Sequence, residues 1–480
     1  MGARAFPLAL LLGLTGLACA TYSEKIQTAR SDLAAGRPES AIAIVNESLG
    51  VKSADEVPAS FGGDRALLLL ERAALLQAIG DHRRSARDMT LADDHLEVLD
   101  VEAGSSLDLG RYLFSDDAVP YRAPPYERLL LNTLNCVNFL AMGDFEGAKV
   151  EARRFRILEA YYLDGGSDVL LRELLAVGNY VAGVSFESAG EYSEAARHFA
   201  RAFRFGLRDD EFRERLRDLF RVAGAPGPEI ATGGALLSEI DRDAVRAGPL
   251  PAQDYRRLWV DGSLLVVVQS GFAPYKRPER IPIGLALTWA AAVHHGHTLS
   301  DSERRRTEKL MVEGLVKWLN FPVLTRAGVA GGAGVEIRID GKLMPPTASL
   351  DAAAQIQAGW ERVKPTLMVA AISRMLVRIG VGYGTGKAVE GGLRRQGDAE
   401  KGTASVIGWL AGLAVEAGLT AADTPDTRSW TMLPARITIV RTRPQSGARS
   451  VLVTVSGRQD GGRFEAPRQG TLTVALSRYR

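Results

Sequence analysis

The sequence predicts an α+β protein, in which an α-solenoid of helical hairpins is followed by a mixed α+β half. Three observations lead there. A small–Gly–small spacing recurs four times within residues 22–222, a Pro/Gly run follows at 223–235, and short β-branched runs between helical patterns take over in 236–480. The chain has 480 residues, 46% of them apolar, with 59 Lys+Arg against 57 Asp+Glu. At roughly 150 residues per domain, that length supplies two or three cores. The composition excludes a disordered chain, and only two Cys exclude a disulfide scaffold. A net charge of +2 excludes a globally basic nucleic-acid binder.

The N-terminal residues MGARAFPLALLLGLTGLACA carry one side-chain charge, Arg4, then an apolar run from Phe6 to Leu14 and small residues around Cys19. Such a run is an export signal and is too short to anchor by spanning a bilayer. Two cuts fit it. Gly16-Leu17-Ala18-Cys19 matches a lipobox, so that residues 1–19 form a signal peptide whose end makes Cys19 the lipidated N-terminus. Ala18-Cys19-Ala20 matches an A-x-A site, which would remove the cysteine and leave a periplasmic protein. Lipidation is the expectation, because a cysteine closing an apolar leader has no structural use. Ala20 stands where inner-membrane retention takes Asp, which directs the expectation to the outer membrane, facing the periplasm.

In residues 22–222 a small residue is followed by Gly seven positions on and another small residue five after that. The four copies are Ala29/Gly36/Ala41, Ala73/Gly80/Ser85, Cys136/Gly143/Ala148 and Gly183/Gly190/Ala195. Small residues let antiparallel helices approach, and Gly ends the first helix in a left-handed conformation. This is the tetratricopeptide-repeat pattern, here with insertions at 53–64, about 97–125 and 161–168. Cys136 falls on the close-packed position, where it acts as a small buried hydrophobe with no disulfide partner.

Residues 223–235, AGAPGPEIATGGA, read as a linker. Beyond it, strands are expected at 258–269, 322–326, 335–339, 435–441, 450–456 and 470–476. Helices are expected at 285–294, 302–320, 350–358, 366–380 and 404–418. From Leu433 to Arg480 the chain holds nine Arg, no Lys and only Asp460 and Glu465. Arginines on strands either form a basic face for an anionic surface such as lipid phosphate or protect a sheet edge. The apolar stretch 366–418, with Gly408 and Gly412 four apart, raises bilayer insertion as an alternative.

Catalytic patterns are sparse. The run from Gly380 to Lys387 lacks the strand before it and the Ser/Thr after Lys387 that a phosphate-binding loop needs. No G-x-S-x-G, CxxC or HExxH is present. His294, His295 and His297 are the clustered metal-type ligands; His295 and His297 flank Gly296, and a further ligand would have to come from Asp301 or Glu303. Histidines facing a helix C-terminus are the simpler reading, so no metal and no cofactor are expected. Asp426, Arg428 and Trp430 form the densest polar and aromatic cluster, read as a structural corner first and an interaction motif second.

The runs Pro125-Tyr126-Glu127, Gly143-Asp144-Phe145 and Val150-Glu151-Ala152-Arg153-Arg154 resemble the helical half of a family of bacterial envelope lipoproteins with degenerate tetratricopeptide repeats. Gly271-Phe272-Ala273-Pro274-Tyr275-Lys276 and Asp426-Thr427-Arg428-Ser429-Trp430, followed by Leu433-Pro434-Ala435-Arg436-Ile437, resemble its second half. The resemblance covers most of the chain, and Asp-Thr-Arg-Ser-Trp is its most specific piece. It implies an envelope lipoprotein of Gram-negative bacteria, in the setting of lipoproteins that accompany peptidoglycan synthases, with no established enzymatic activity and no catalytic residues. The chain departs from it in Gly16, where Leu is usual, and in the Arg-rich stretch 302–320, which reads as an insertion.

The function expected from this reading is a lipid-anchored, non-enzymatic protein–protein interaction scaffold. Its groove would hold other envelope proteins, its anchor the outer membrane, and nucleic acid would play no part. The alternatives are an envelope-polymer hydrolase using His294/His295/His297 or Asp426, and a membrane-inserting assembly component.

Overall fold

The computed structural model describes residues 22–98, 121–164, 171–291, 299–312, 318–325, 334–394, 425–445 and 447–479. The helical half runs α1 (Tyr22–Ala34), α2 (Pro38–Leu49), α3 (Arg65–Ala78), α4 (His82–His95), α5 (Pro125–Ala141), α6 (Phe145–Asp164), α7 (Arg172–Ser188), α8 (Tyr192–Arg204), α9 (Asp210–Ala223), α10 (Gly227–Ala247) and α11 (Ala252–Trp259). A two-residue parallel pair, β1 (Glu97–Val98) with β2 (Arg122–Ala123), sits between α4 and α5.

The repeated spacing does what its chemistry dictates. Gly36, Gly80, Gly143 and Gly190 all adopt φ between 71° and 80°, where a Cβ would be strained. Each helix end closes in the same way: the Asp81 N–H donates to the Leu76 carbonyl and the Glu191 N–H to the Phe186 carbonyl, both at 2.9 Å. Ala29, Ala41, Ala73, Ala148 and Ala195 are fully buried. The hairpins α1/α2, α3/α4, α5/α6 and α7/α8 then stack side by side, an α-solenoid arrangement.

The Pro/Gly run at 223–235 is not an extended connector. Residues from Gly227 onward are helical, with a kink at Gly234 (φ 78°). Pro228 sits in the first turn, where its missing N–H is not needed. An Arg201–Glu229 ion pair ties α10 back to α8.

The second half supplies β3 (Ser263–Phe272), β4 (Lys276–Pro282), α12 (Ile283–Ala291), α13 (Asp301–Val312), β5 (Trp318–Leu324), β6 (Val335–Ile339), β7 (Lys342–Met344), β8 (Ala348–Asp351), α14 (Ala352–Arg394), β9 (Pro434–Arg441), β10 (Gly447–Val455), β11 (Arg458–Ala466) and β12 (Thr471–Arg478). One four-stranded sheet has the order β12-β3-β9-β8 and another the order β11-β10-β6-β7; β4 and β5 form a separate antiparallel ribbon. Leu265 and Val267 of β3 join the core of the helical half. Leu264, Val266 and Val268 face the other way, onto Ile337, Ile339, Val451 and Val453 of the second sheet. The first sheet is therefore a middle layer covered on both faces, which is why β3 reads as a continuous apolar run. One core cluster extends from Ile26 to Tyr479 across both halves, beside two smaller ones within the second half.

Several expected boundaries are corrected. Residues 258–262 complete α11 and a turn, and the strand begins at Ser263. The stretch 302–320 is not one helix, since α13 ends at Val312 and Trp318 opens β5. The expected helices 350–358 and 366–380 are one helix, α14, which contains Pro365 and continues through the Gly380–Lys387 run, while Leu350 and Asp351 belong to β8. The expected helix 404–418 lies outside the described residues. The strands β4, β8 and β11 were not expected: β4 carries two prolines, β8 is only four residues long and β11 is polar, each outside the usual strand signature.

Candidate functional site

The chemistry-bearing feature is a seam where the sheet-facing helices of the repeats meet residues 426–433. In repeat proteins such a face holds a peptide. Here it holds a strip of the same chain. The Trp430 backbone N–H donates to Glu127 Oε1 at 3.1 Å, and the Thr431 and Met432 N–H groups donate to Glu71 Oε1 and Oε2 at 2.7 and 3.0 Å. The Thr431 hydroxyl adds 3.0 Å to Glu71, the Tyr22 hydroxyl 2.9 Å, and the Tyr121 hydroxyl donates to Glu127 at 2.6 Å. Trp430 and Met432 are buried as apolar anchors on either side.

Asp426 fixes the start of the strip. It accepts the Arg428 backbone N–H at 2.9 Å and two guanidinium nitrogens, the closer at 2.7 Å. The same guanidinium reaches Asp64, the residue preceding α3, at 3.0 Å. Burial lowers the affinity of Arg428 for its proton, but the two carboxylates outweigh this and raise it above the ordinary range. A second tie lies deeper, where Gln269 Nε2 of β3 donates to Gln77 Oε1 at 2.8 Å.

The third carboxylate is Glu187 on α7. It faces Arg441 of β9 at 2.5 Å and Arg215 of α9 at 3.3 Å, and accepts the Tyr255 hydroxyl. Burial pushes its carboxyl up, yet Arg441 and Arg215 outweigh burial and hold it below the usual range. Burial pushes Glu71 and Glu127 both up to about 7, against the pull of their donors and, for Glu127, of nearby Lys276. All three glutamates are at most 1% exposed. Each takes hydrogen bonds or ion pairs from groups of the chain itself, so the carboxylates orient the strip and the elements around it.

The structure brings Asp426, Arg428 and Trp430 together but buries them at 2%, 7% and 1% exposure. Asp426 pairs with Arg428 and Trp430 packs into the junction, as the structural-corner reading expects; the corner closes against the helical half through Asp64 and Glu127. Cys19 and His294, His295 and His297 lie outside the described residues. Cys136 is buried, its thiol donating to the Ala148 carbonyl at 3.5 Å, and burial pushes that thiol well up. The Arg-rich strands do not form one solvated basic face. Arg436, Arg441, Arg443, Arg449 and Arg478 meet Asp351, Glu187, Glu214, Asp340 and Asp460. Arg458 and Arg463 are exposed on β11, the edge strand.

Sequence reasoning missed Glu71 and Glu187 and named Glu127 only as part of a resemblance. The available signal was a carboxylate flanked by apolar residues on every side of its helix, as in Leu67–Leu70 before Glu71 and Ala73–Leu76 after it. Neither a family model nor a curated protein matches this chain.

Proposed function

We propose that the protein is a non-enzymatic scaffold of the bacterial cell envelope, exported by its leader, lipid-anchored through Cys19 and facing the periplasm from the outer membrane. One observation supports the scaffold reading above others. The repeats use backbone-to-carboxylate bonds, the chemistry of peptide binding, to hold a strip of their own chain. A body locked in this way presents its outer faces to envelope partners instead of the groove first expected to hold them. The hydrolase alternative loses support at Asp426, whose oxygens are taken up by Arg428. Among the described residues, no helix is long and apolar enough to cross a membrane.

The test is incorporation of labelled fatty acid in growing cells, followed by fractionation. Wild type is expected to carry label and to sediment with outer membranes, and Cys19→Ala to do neither. An unlabelled, freely soluble wild type would refute the anchor. Crosslinking in intact cells tests the scaffold: recurrent links to another envelope protein support it, and links only within the chain reject it.

A further inference from the structure

A cleft of about 510 Å³ opens between the β4–β5 ribbon, α12 and α14. Its walls follow from the pleat. Arg277 and Glu279 on β4 share a face with Ile281, and Val323 and Phe321 stand opposite them on β5. The Ile281 end of that face is buried against α12 and α14, while the Arg277 end forms the open part of the cleft. From α14, Gln357, Trp360, Glu361 and Lys364 repeat at three- and four-residue steps, so one helical face lines the other wall. Trp360 is backed by Phe321 at 6.1 Å between ring centres, and Trp289 of α12 completes the apolar floor.

The charges at the rim cancel locally. Arg277 pairs with Glu279 at 3.3 Å, and Lys364 pairs with Glu361 at 3.2 Å. Glu361 also accepts from Gln357 at 3.1 Å. A free phosphate or anionic headgroup would meet two carboxylates here, which argues against it. A cationic ligand is disfavoured as well, because Lys364 Nζ already stands 3.7 Å from the Trp289 ring centre and occupies the cation site of that indole. What remains is a neutral ligand with flat apolar faces and many hydroxyl groups. The half-buried Trp360 indole offers a stacking surface, and the carboxylates, carboxamide and guanidinium of the lining offer both acceptors and donors. The volume is within the usual range of ligand pockets, roughly 300–1,000 Å³.

We propose that the cleft between the β4–β5 ribbon and α14 binds a neutral oligosaccharide chain, stacked on Trp360. This goes beyond the scaffold reading and stands or falls independently of the lipid anchor. It gives the protein a polysaccharide contact that neither the repeats nor the seam supplies.

The test uses the purified full chain, titrated with chitohexaose and with cellohexaose and followed by calorimetry and tryptophan fluorescence. Binding of at least one sugar in the micromolar to millimolar range is expected; a preference for chitohexaose assigns part of the contact to the acetamido group. Trp360→Ala is expected to weaken binding roughly tenfold, as loss of one aromatic contact does. Gln357→Ala, which leaves the apolar floor intact, is expected to weaken it less while leaving thermal unfolding unchanged. Absence of binding by both sugars, or binding unaltered in both variants, overturns the proposal.

Discussion

Glu187 is fully buried and lies between Arg215 and Arg441, themselves 2% and 3% exposed. Removing one member of such a cluster leaves the others charged without compensation, which costs about 3–5 kcal/mol. Glu187→Ala is therefore expected to lower unfolding stability by that order in urea denaturation. Arg197→Ala is the contrast: its pair with Glu194 is solvent-exposed on α8 and is worth at most about 0.5 kcal/mol. Equal losses in the two variants would contradict the assignment. At this scale the sequence was legible where a residue's role follows from its neighbours along the chain. Cys136 was placed in the helix contact by its spacing, seven before Gly143. Glu187 was not legible, because its partners come from residues 215, 255 and 441 and nothing local announces them.

The hairpins depend on two kinds of glycine, and the two fail differently. Gly190 ends α7 at φ 79° with open space around it, so Gly190→Ala meets only backbone strain, about 1 kcal/mol. Gly183 is helical, and a Cβ there would stand 2.3 Å from the Phe199 ring. Gly183→Ala forces α7 and α8 apart or moves that ring, which costs about 1–3 kcal/mol even after the gain in helix propensity. Thermal unfolding of the two variants should separate them, Gly183→Ala having the lower midpoint; the reverse order would place the close contact elsewhere. Helix ends were legible because a left-handed Gly is a local requirement. The stretch at 223–235 was not, since Pro228 and Gly233 read as a connector until α8 and α9 supply the surface on which α10 packs.

The whole molecule is joined at a seam whose carboxyls respond to pH. In the folded chain Glu71 and Glu127 titrate at about 7, against 4.5 for a free Glu carboxyl. Between those values the unfolded chain has released both protons and the folded chain keeps them, so stability falls as pH rises through this window. The contribution is fully present below 4.5, is gone above about 7, and amounts to at most about 3 kcal/mol per carboxyl. His198, which burial holds well below its ordinary value of 6.5, works in the opposite sense below that pH. The informative quantity is thus the stability of wild type minus that of Glu127→Gln, from urea midpoints between about pH 5 and pH 8. This difference is expected to shrink as pH rises, and a flat difference would mean that Glu127 ionises normally.

By itself the sequence determined the α+β class, the four hairpins with their glycine ends, the burial of Cys136 and the cores of several strands. All of these are set by periodicity and backbone preference within a dozen or so residues. Only the tertiary structure decided that the two halves share one core, that β3 is covered on both faces, and that the corner of Asp426, Arg428 and Trp430 closes on Asp64 and Glu127. The same is true of the strand arginines Arg436, Arg441 and Arg449, which are neutralised by carboxylates far away in the chain. The physical reason is the same in each case. A charged or aromatic side chain reads as surface until a distant segment supplies the acceptor, cation or apolar wall that makes its burial favourable. Such partners, here up to hundreds of residues apart, are brought together only by the packed fold.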